Sequence, residues 1–467
     1  MQSTWEVARH WSWACASAAA LWVVVAVGLA EDDFRSAKPK PPTPVEDISE
    51  EEYYELLRLL ADTLDQVERN YVKEVTRREL VEAAIDGVIS KLDQYSNYIP
   101  PDELDRFKSG VENEFGGIGI QVAIDQGKLT ITSPIVDTPA YRAGLRAGDV
   151  ITNIEGESAA GITLDGAVRR LKGKVGTKVT FTVRHAHNGE EETVTVERAM
   201  VQVESVLGDT RNDKHEWNWL LDPERKIGYV RITSFSRHTT EDLRAAMRDL
   251  TKSGMRGLIL DLRYNPGGLL TSAIDISDMF VDEGVIVSTQ GRNTAENARY
   301  AHKADTYAGF PMVVLVNRYS ASASEIVSAC LQDHKRAVVI GERTWGKGSV
   351  QNIINLEDGR SALKLTTASY HRPSGKNIHR FEGATDADVW GVIPNDGFML
   401  RLSDAEMSEL VDTRRQRDIV RSQHDARELP TFNDRQLNRG VAYLLAELGD
   451  APDPRRAEAR PPVPPAE

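Results

Sequence analysis

Beyond Leu207 the chain alternates continuous apolar runs with amphipathic ones: KIGYVRI, EDLRAAMRDLTKS, GLILDLRYN, LLTSAIDISDMF, PMVVLVN, ASEIVSACLQD and RAVVIG. A strand that is apolar at every position cannot leave one face in water. Separated by helices, such strands predict a parallel sheet covered on both faces, an α/β layer. Ligand sites in these sheets form at the carboxyl ends of the strands. Three loops fall at such ends: NPGG from Asn265 to Gly268, the turn carrying Ser322, and ERTWGKGSVQ from Glu342 to Gln351.

Ser322 lies between the predicted strand 311–317 and the predicted helix 323–333. A hydroxyl at that turn stands where helix N-terminal N–H groups can stabilise a developing oxyanion. Ser320, Ser322 and Ser324 all equally suit a helix N-cap. Lys347 follows Ser322 by 25 positions (347 − 322) and sits between two glycines. To act as a base it must be neutral, whereas a free lysine has a pKa of about 10.4. Burial must lower it, with Trp345 as nearby apolar cover. Neutral Lys347 would take the Ser322 proton as Ser322 attacks a peptide carbonyl, with the N–H groups of Ala323 and Gly268 holding the oxyanion. The competing mechanism is a Ser-His-Asp triad, for which His238, His334, His371 and His379 are the available bases. Asp333 and Glu325 are given structural roles, Glu325 as a complement to the helix dipole.

From about Phe107 to Met200 the texture changes to FGGIGIQVAI, LTITSPI, AGLRAGDVITNI, a helix at LDGAVRRL, then KVTFTVR and EETVTVER. In this order the residues resemble a PDZ domain. The resemblance implies that a peptide's terminal carboxylate meets the loop Gly117, Ile118, Gly119 and Ile120 while the peptide adds a strand to the sheet edge. Its last side chain would enter a pocket between residues 118–122 and the helix carrying Leu164, Val168 and Leu171.

The succession of PDZ-like module, NPGG, SASASE and GKGSVQ is similar to the carboxyl-terminal processing proteases, also called tail-specific proteases, from Tyr53 to about Gly397. LDQYSNYIPPDEL and SGKNIHRFEGATDADVWGVIPND resemble further blocks of that family, the second departing by an insertion at EGATDADVW. The resemblance implies a Ser/Lys dyad at Ser322 and Lys347, a lysine-orienting glutamine at Gln351, and oxyanion positions at Gly268 and Ala323. It implies a crotonase- or Clp-protease-like core with an inserted PDZ domain and N-terminal helices. The implied activity is that of an exported serine endopeptidase that captures unstructured C-terminal tails and cuts near them. The alternative is a non-catalytic PDZ scaffold whose core only binds peptide.

A net charge of −14 and a pI near 5.3 argue against nucleic acid as a partner. Neither HExxH nor paired CxxC occurs, so a metal-free mechanism without cofactor is expected. Cys15 and Cys330 alone build no disulfide framework. Residues 1–35 place Arg9 and His10 before an apolar run from Trp11 to Leu29, followed by Glu31, Asp32 and Asp33. This pattern suits a cleaved signal peptide or a retained transmembrane anchor, and either one directs the rest to the periplasm or cell envelope. The remaining divisions are a linker at 36–50, helices at 51–104, the PDZ domain at 105–200, the protease core at 201–403, C-terminal helices at 404–450 and a disordered tail at 451–467. The amphipathic helices that include Tyr53, Leu56, Leu57 and Leu60 are expected to pack on the rest of the chain or to join a second copy as a homo-oligomer.

Overall fold

The computed structural model describes residues 49–292, 296–420 and 429–451. The segment expected to be a signal or anchor, nearly all of the expected linker and nearly all of the expected tail lie outside these residues. Among the described residues no helix is long and apolar enough to cross a membrane.

Side-chain caps start the first two helices, with Ser49 before α1 (Glu50–Asn70) and Thr76 before α2 (Arg77–Ile89). No residue of α1 is buried, and Tyr53, Leu56, Leu57 and Leu60 are all exposed. The short strand β1 (Asn97–Ile99) and helix α3 (Pro101–Glu112) follow. The chain then enters and leaves the PDZ module through a paired antiparallel ribbon, Glu114–Gly117 against Ala199–Gln202. Between them run β2 (Ile120–Asp125), β3 (Lys128–Pro134), β4 (Val150–Ile154), α4 (Leu164–Leu171), β5 (Lys178–Arg184) and β6 (Glu191–Glu197), the strands hydrogen-bonded in that order. Period-two alternation sends Leu129 and Ile131 of β3, and Val179, Phe181 and Val183 of β5, into a core of the module's own beneath Ala167 and Leu171 of α4.

The protease core comprises β7 (Ile227–Ile232), α5 (Thr239–Lys252), β8 (Gly257–Asp261), α6 (Leu270–Asp278), β9 (Val285–Gly291), β10 (Met312–Val316), α7 (Ala323–Asp333) and β11 (Val338–Gly341). Strands β7, β8, β10 and β11 are neighbours and parallel. Both β8 and β10 are buried at every position, as their continuous apolar sequences require. Helices α5, α6 and α7 pack on one face of the sheet through Leu243, Ile276 and Val327. Further along come β12 (Ser349–Leu356), β13 (Ser361–His371), α8 (Asp404–Asp418) and α9 (Arg435–Glu447).

Two elements remote from the parallel sheet in sequence, α9 and β1, are tied into the core. On the sheet's second face, Ile259, Val313 and Leu315 meet Leu437, Leu444 and Leu445 of α9. Asp434 caps α9 and also pairs with the buried Arg263, which holds Asp261 at the end of β8. For its part, β1 pairs with β13, and β13 also pairs with β9 and β12 to form a second sheet.

Candidate active site

Because β8, β10 and β11 are adjacent and parallel, the NPGG loop, the Ser322 turn and the lysine loop emerge side by side. Ser322 has φ 55° and ψ −114°, a backbone conformation costly for any residue with a side chain. The NPGG loop presses against it. A Cβ added at Gly267 would lie 2.7 Å from Ser322 Cβ and 3.0 Å from Ala323 N, so only glycine fits there. Asn265 fixes this arrangement, since its side chain accepts from Gly267 N and its carbonyl accepts from Ala321 N and Ser324 Oγ.

The three serines separate by their partners. Ser320 Oγ donates to the Leu262 carbonyl and Ser324 Oγ to that of Asn265, and both residues are fully buried. Ser322 is part-exposed and stands at the N-cap of α7, and among the described residues its hydroxyl donates no hydrogen bond. Likewise, neither Gly268 N–H nor Ala323 N–H has an acceptor among the described residues. Two unspent N–H donors thus flank a hydroxyl whose proton is not engaged, as an oxyanion site requires.

Glu325, read from the sequence only as a dipole complement, ties the site together. Its buried carboxylate accepts from Ser322 N at 2.8 Å and Lys347 N at 2.8 Å through Oε2, and from Gly346 N at 2.7 Å and Thr344 Oγ1 at 2.6 Å through Oε1. Burial raises its pKa to about 7, against the lowering effect of these donors. A glutamate at the third helical position carries no sequence mark of this role, because its partners arrive from a loop 21 and 22 residues downstream.

Burial is also the largest influence on Lys347, lowering its pKa to about 8, and Lys364 lowers it further while Glu325 opposes. The expected cover from Trp345 is not what the structure has. Trp345 is half exposed, and the ring facing Lys347 Nζ, 5.1 Å away, is that of Tyr95. Tyr95 comes from the segment before β1, which Asp93 and Ser96 fasten to Thr366 of β13. Gln351 makes no hydrogen bond to Lys347. Its amide donates to Ser349 Oγ and Thr366 Oγ1, so its link to the lysine runs through Thr366 to the turn bearing Tyr95. No hydrogen bond joins Ser322 Oγ to Lys347 Nζ among the described residues. The insertion-like EGATDADVW also has a place here: Trp390 packs against Gly346 and lies beneath the Arg343 and Arg380 guanidiniums, buttressing the lysine loop.

Two of the four histidines are engaged away from the site. His238 bonds Glu114 and His334 bonds the Val285 carbonyl, while Asp333 pairs with Arg372 rather than with His334. His379 meets Tyr95 and Phe381 edge-on, and its buried Nδ1 has no hydrogen-bond partner. No hydrogen bond joins these three or His371 to Ser322.

At the PDZ module a cavity of about 370 Å³ is lined by Ile118, Gly119, Ile120, Val168 and Leu171. Phe115 and Lys172 line it where Gly117 and Leu164 were expected. Its opposite wall is the protease core, through Arg231, Leu410, Val411, Arg414 and Arg415. The groove beside β2 is therefore shared with α8.

Two family models match the chain: Peptidase family S41 over residues 226–389 and PDZ domain over residues 130–185. A carboxy-terminal-processing protease of Bartonella bacilliformis is 35% identical over 420 residues, spanning 87% of this chain and 93% of its own length. Carboxy-terminal processing protease CtpA of Bacillus subtilis is 36% identical over 318 residues, 68% of this chain and 65% of its own length. Among solved structures, a photosystem II D1 C-terminal processing protease aligns with 27% identity over 77% of this chain and 97% of that one, at a TM-score of 0.42.

Proposed function

Since this chain belongs to peptidase family S41 and is a serine endopeptidase with a PDZ domain, we propose that Ser322 and Lys347 form its catalytic dyad and that tails held in the PDZ groove are its substrates. The single observation that carries the dyad is the Glu325 carboxylate, which binds the main chain of both residues. Lys347, neutral above a pKa of about 8, takes the Ser322 proton as Oγ bonds to the peptide carbonyl carbon. The N–H groups of Gly268 and Ala323 receive the oxyanion. The C–N bond then breaks as the lysinium returns the proton to the leaving amine, and water releases the acyl group from Ser322. Substrate binding brings Lys347 Nζ and Ser322 Oγ into the hydrogen bond that the free enzyme lacks.

The scaffold alternative is set aside because the chain belongs to a catalytic peptidase family, and the N–H groups of Gly268 and Ala323 are both unspent. Purified wild type should degrade an unfolded protein, and Ser322→Ala and Lys347→Ala should each lose at least about 1000-fold in rate. An inactive wild type, or undiminished cleavage by either variant, contradicts the dyad.

The terminal carboxylate is proposed to meet the loop of Ile118, Gly119 and Ile120, with the tail running along β2 between the module and α8. Residues 1–35 are proposed to export the chain, as a cleaved signal or a membrane anchor, to the periplasm or cell envelope. A reporter that is active only outside the cytoplasm should become active when fused after residue 35, and silence of that fusion would sink the assignment. Self-association is proposed to run through the exposed apolar face of α1.

A further inference from the structure

We propose that Asp149, His185 and His187 form a binding site for a divalent metal ion of the zinc type on the PDZ module. Asp149 stands just before β4, and the two histidines lie on the turn between β5 and β6. One ligand atom from each lies within 4.8 Å of the other two. Asp149 Oδ2 and His185 Nδ1 are 3.1 Å apart. Tetrahedral zinc, with bonds of about 2.0–2.2 Å, spaces its ligand atoms by roughly 3.3 Å, so an ion that displaces the proton of this hydrogen bond to solvent parts the pair by only about 0.2 Å. The His187 ring centroid is 5.4 Å from that of His185, and the exposed ring has no hydrogen-bond partner among the described residues. A rotation of that one side chain completes three ligands, leaving a fourth position for water.

The surroundings match what a metal-bound imidazole needs. His185 Nε2 faces the Glu192 carboxylate at 3.0 Å, the outer partner that fixes a ligating ring's tautomer and raises its basicity. Asp149 is buried and held in place by Ala186 N and Arg146 N. Two imidazoles and one carboxylate are a donor set for zinc and its neighbours rather than for calcium or magnesium. A bound ion would pin the turn at 185–190 to the one at 146–149, away from the dyad. Asp149 and His185 lie 36 residues apart, so the sequence displays only the His185-Ala186-His187 pair and not its carboxylate partner.

The test uses the full chain, free of any histidine tag and washed with chelator, titrated with zinc chloride by calorimetry and followed by thermal unfolding. Wild type should take up one zinc per chain and gain in Tm. His187→Ala should share the metal-free Tm, bind zinc about 10-fold or more weakly, and gain nothing. A wild type that takes up no zinc at stoichiometric ratio, or a His187→Ala variant that binds as tightly as wild type, would overturn the site. His185 would then be simply an imidazole held between two carboxylates.

Discussion

As the proposed base, Lys347 carries the heaviest chemical demand of any side chain in the site, because that role requires it to be neutral where lysines are ordinarily charged. Its pKa of about 8 sets the sign of the pH dependence. The neutral base is scarce below that value and dominant above it, so kcat/KM should rise about tenfold per pH unit up to pH 8 and then level off. A midpoint near the ordinary histidine value of about 6.5 would point to a triad instead. In Glu325→Gln the side-chain amide would face three backbone donors. The nucleophile and lysine loops should shift apart, lowering kcat/KM by about 100-fold on the alkaline plateau while the chain still folds, and the midpoint should move below pH 8 because Glu325 no longer raises the Lys347 pKa; an unchanged profile contradicts the tether. The turn that carries Ser322 was legible in the sequence because a strand, a turn and a helix are local patterns. Glu325 and Tyr95 were not, because each acts on Lys347 from a remote segment that only the fold brings near.

The elements divide in the same way. Helices α4 and α7 occupy the residues that their apolar spacing marks, and β8 and β10 are buried as continuous apolar runs must be. The role of α9 was hidden, because an amphipathic helix declares an apolar face but not the surface it covers. A parallel sheet needs both faces covered, and α5, α6 and α7 occupy only one. Three-residue β1 is too short for period-two alternation to register, although it brings the Tyr95 segment onto β13. Helix α1 presents the opposite case, with a strong apolar stripe and nothing buried. A stripe of that kind calls for a partner. Light scattering should find an oligomer for wild type and, for Leu56→Glu with Leu60→Glu, a weaker association by about 10-fold or more with unchanged helix content. A monomeric wild type would contradict the α1 interface.

Across the whole molecule, the PDZ module is joined to the protease core by one antiparallel ribbon, and its groove opens toward α8. The module's existence was legible from its glycines and strand order. The sharing of its groove was not, because α8 follows the PDZ sequence by some 200 residues and its contact is purely tertiary. This arrangement couples recognition of a chain end to cutting by a separate site, and a terminal carboxylate is the only feature common to all such tails. The most direct test compares initial cleavage rates for one unfolded substrate prepared with a free C-terminal acid and as its C-terminal amide. The free acid should be cut more efficiently, with the amide raising KM by about 10–100-fold and leaving kcat nearly unchanged, since charge-assisted hydrogen bonds are lost only in binding. Equal KM and kcat for the two forms would contradict capture by the tail.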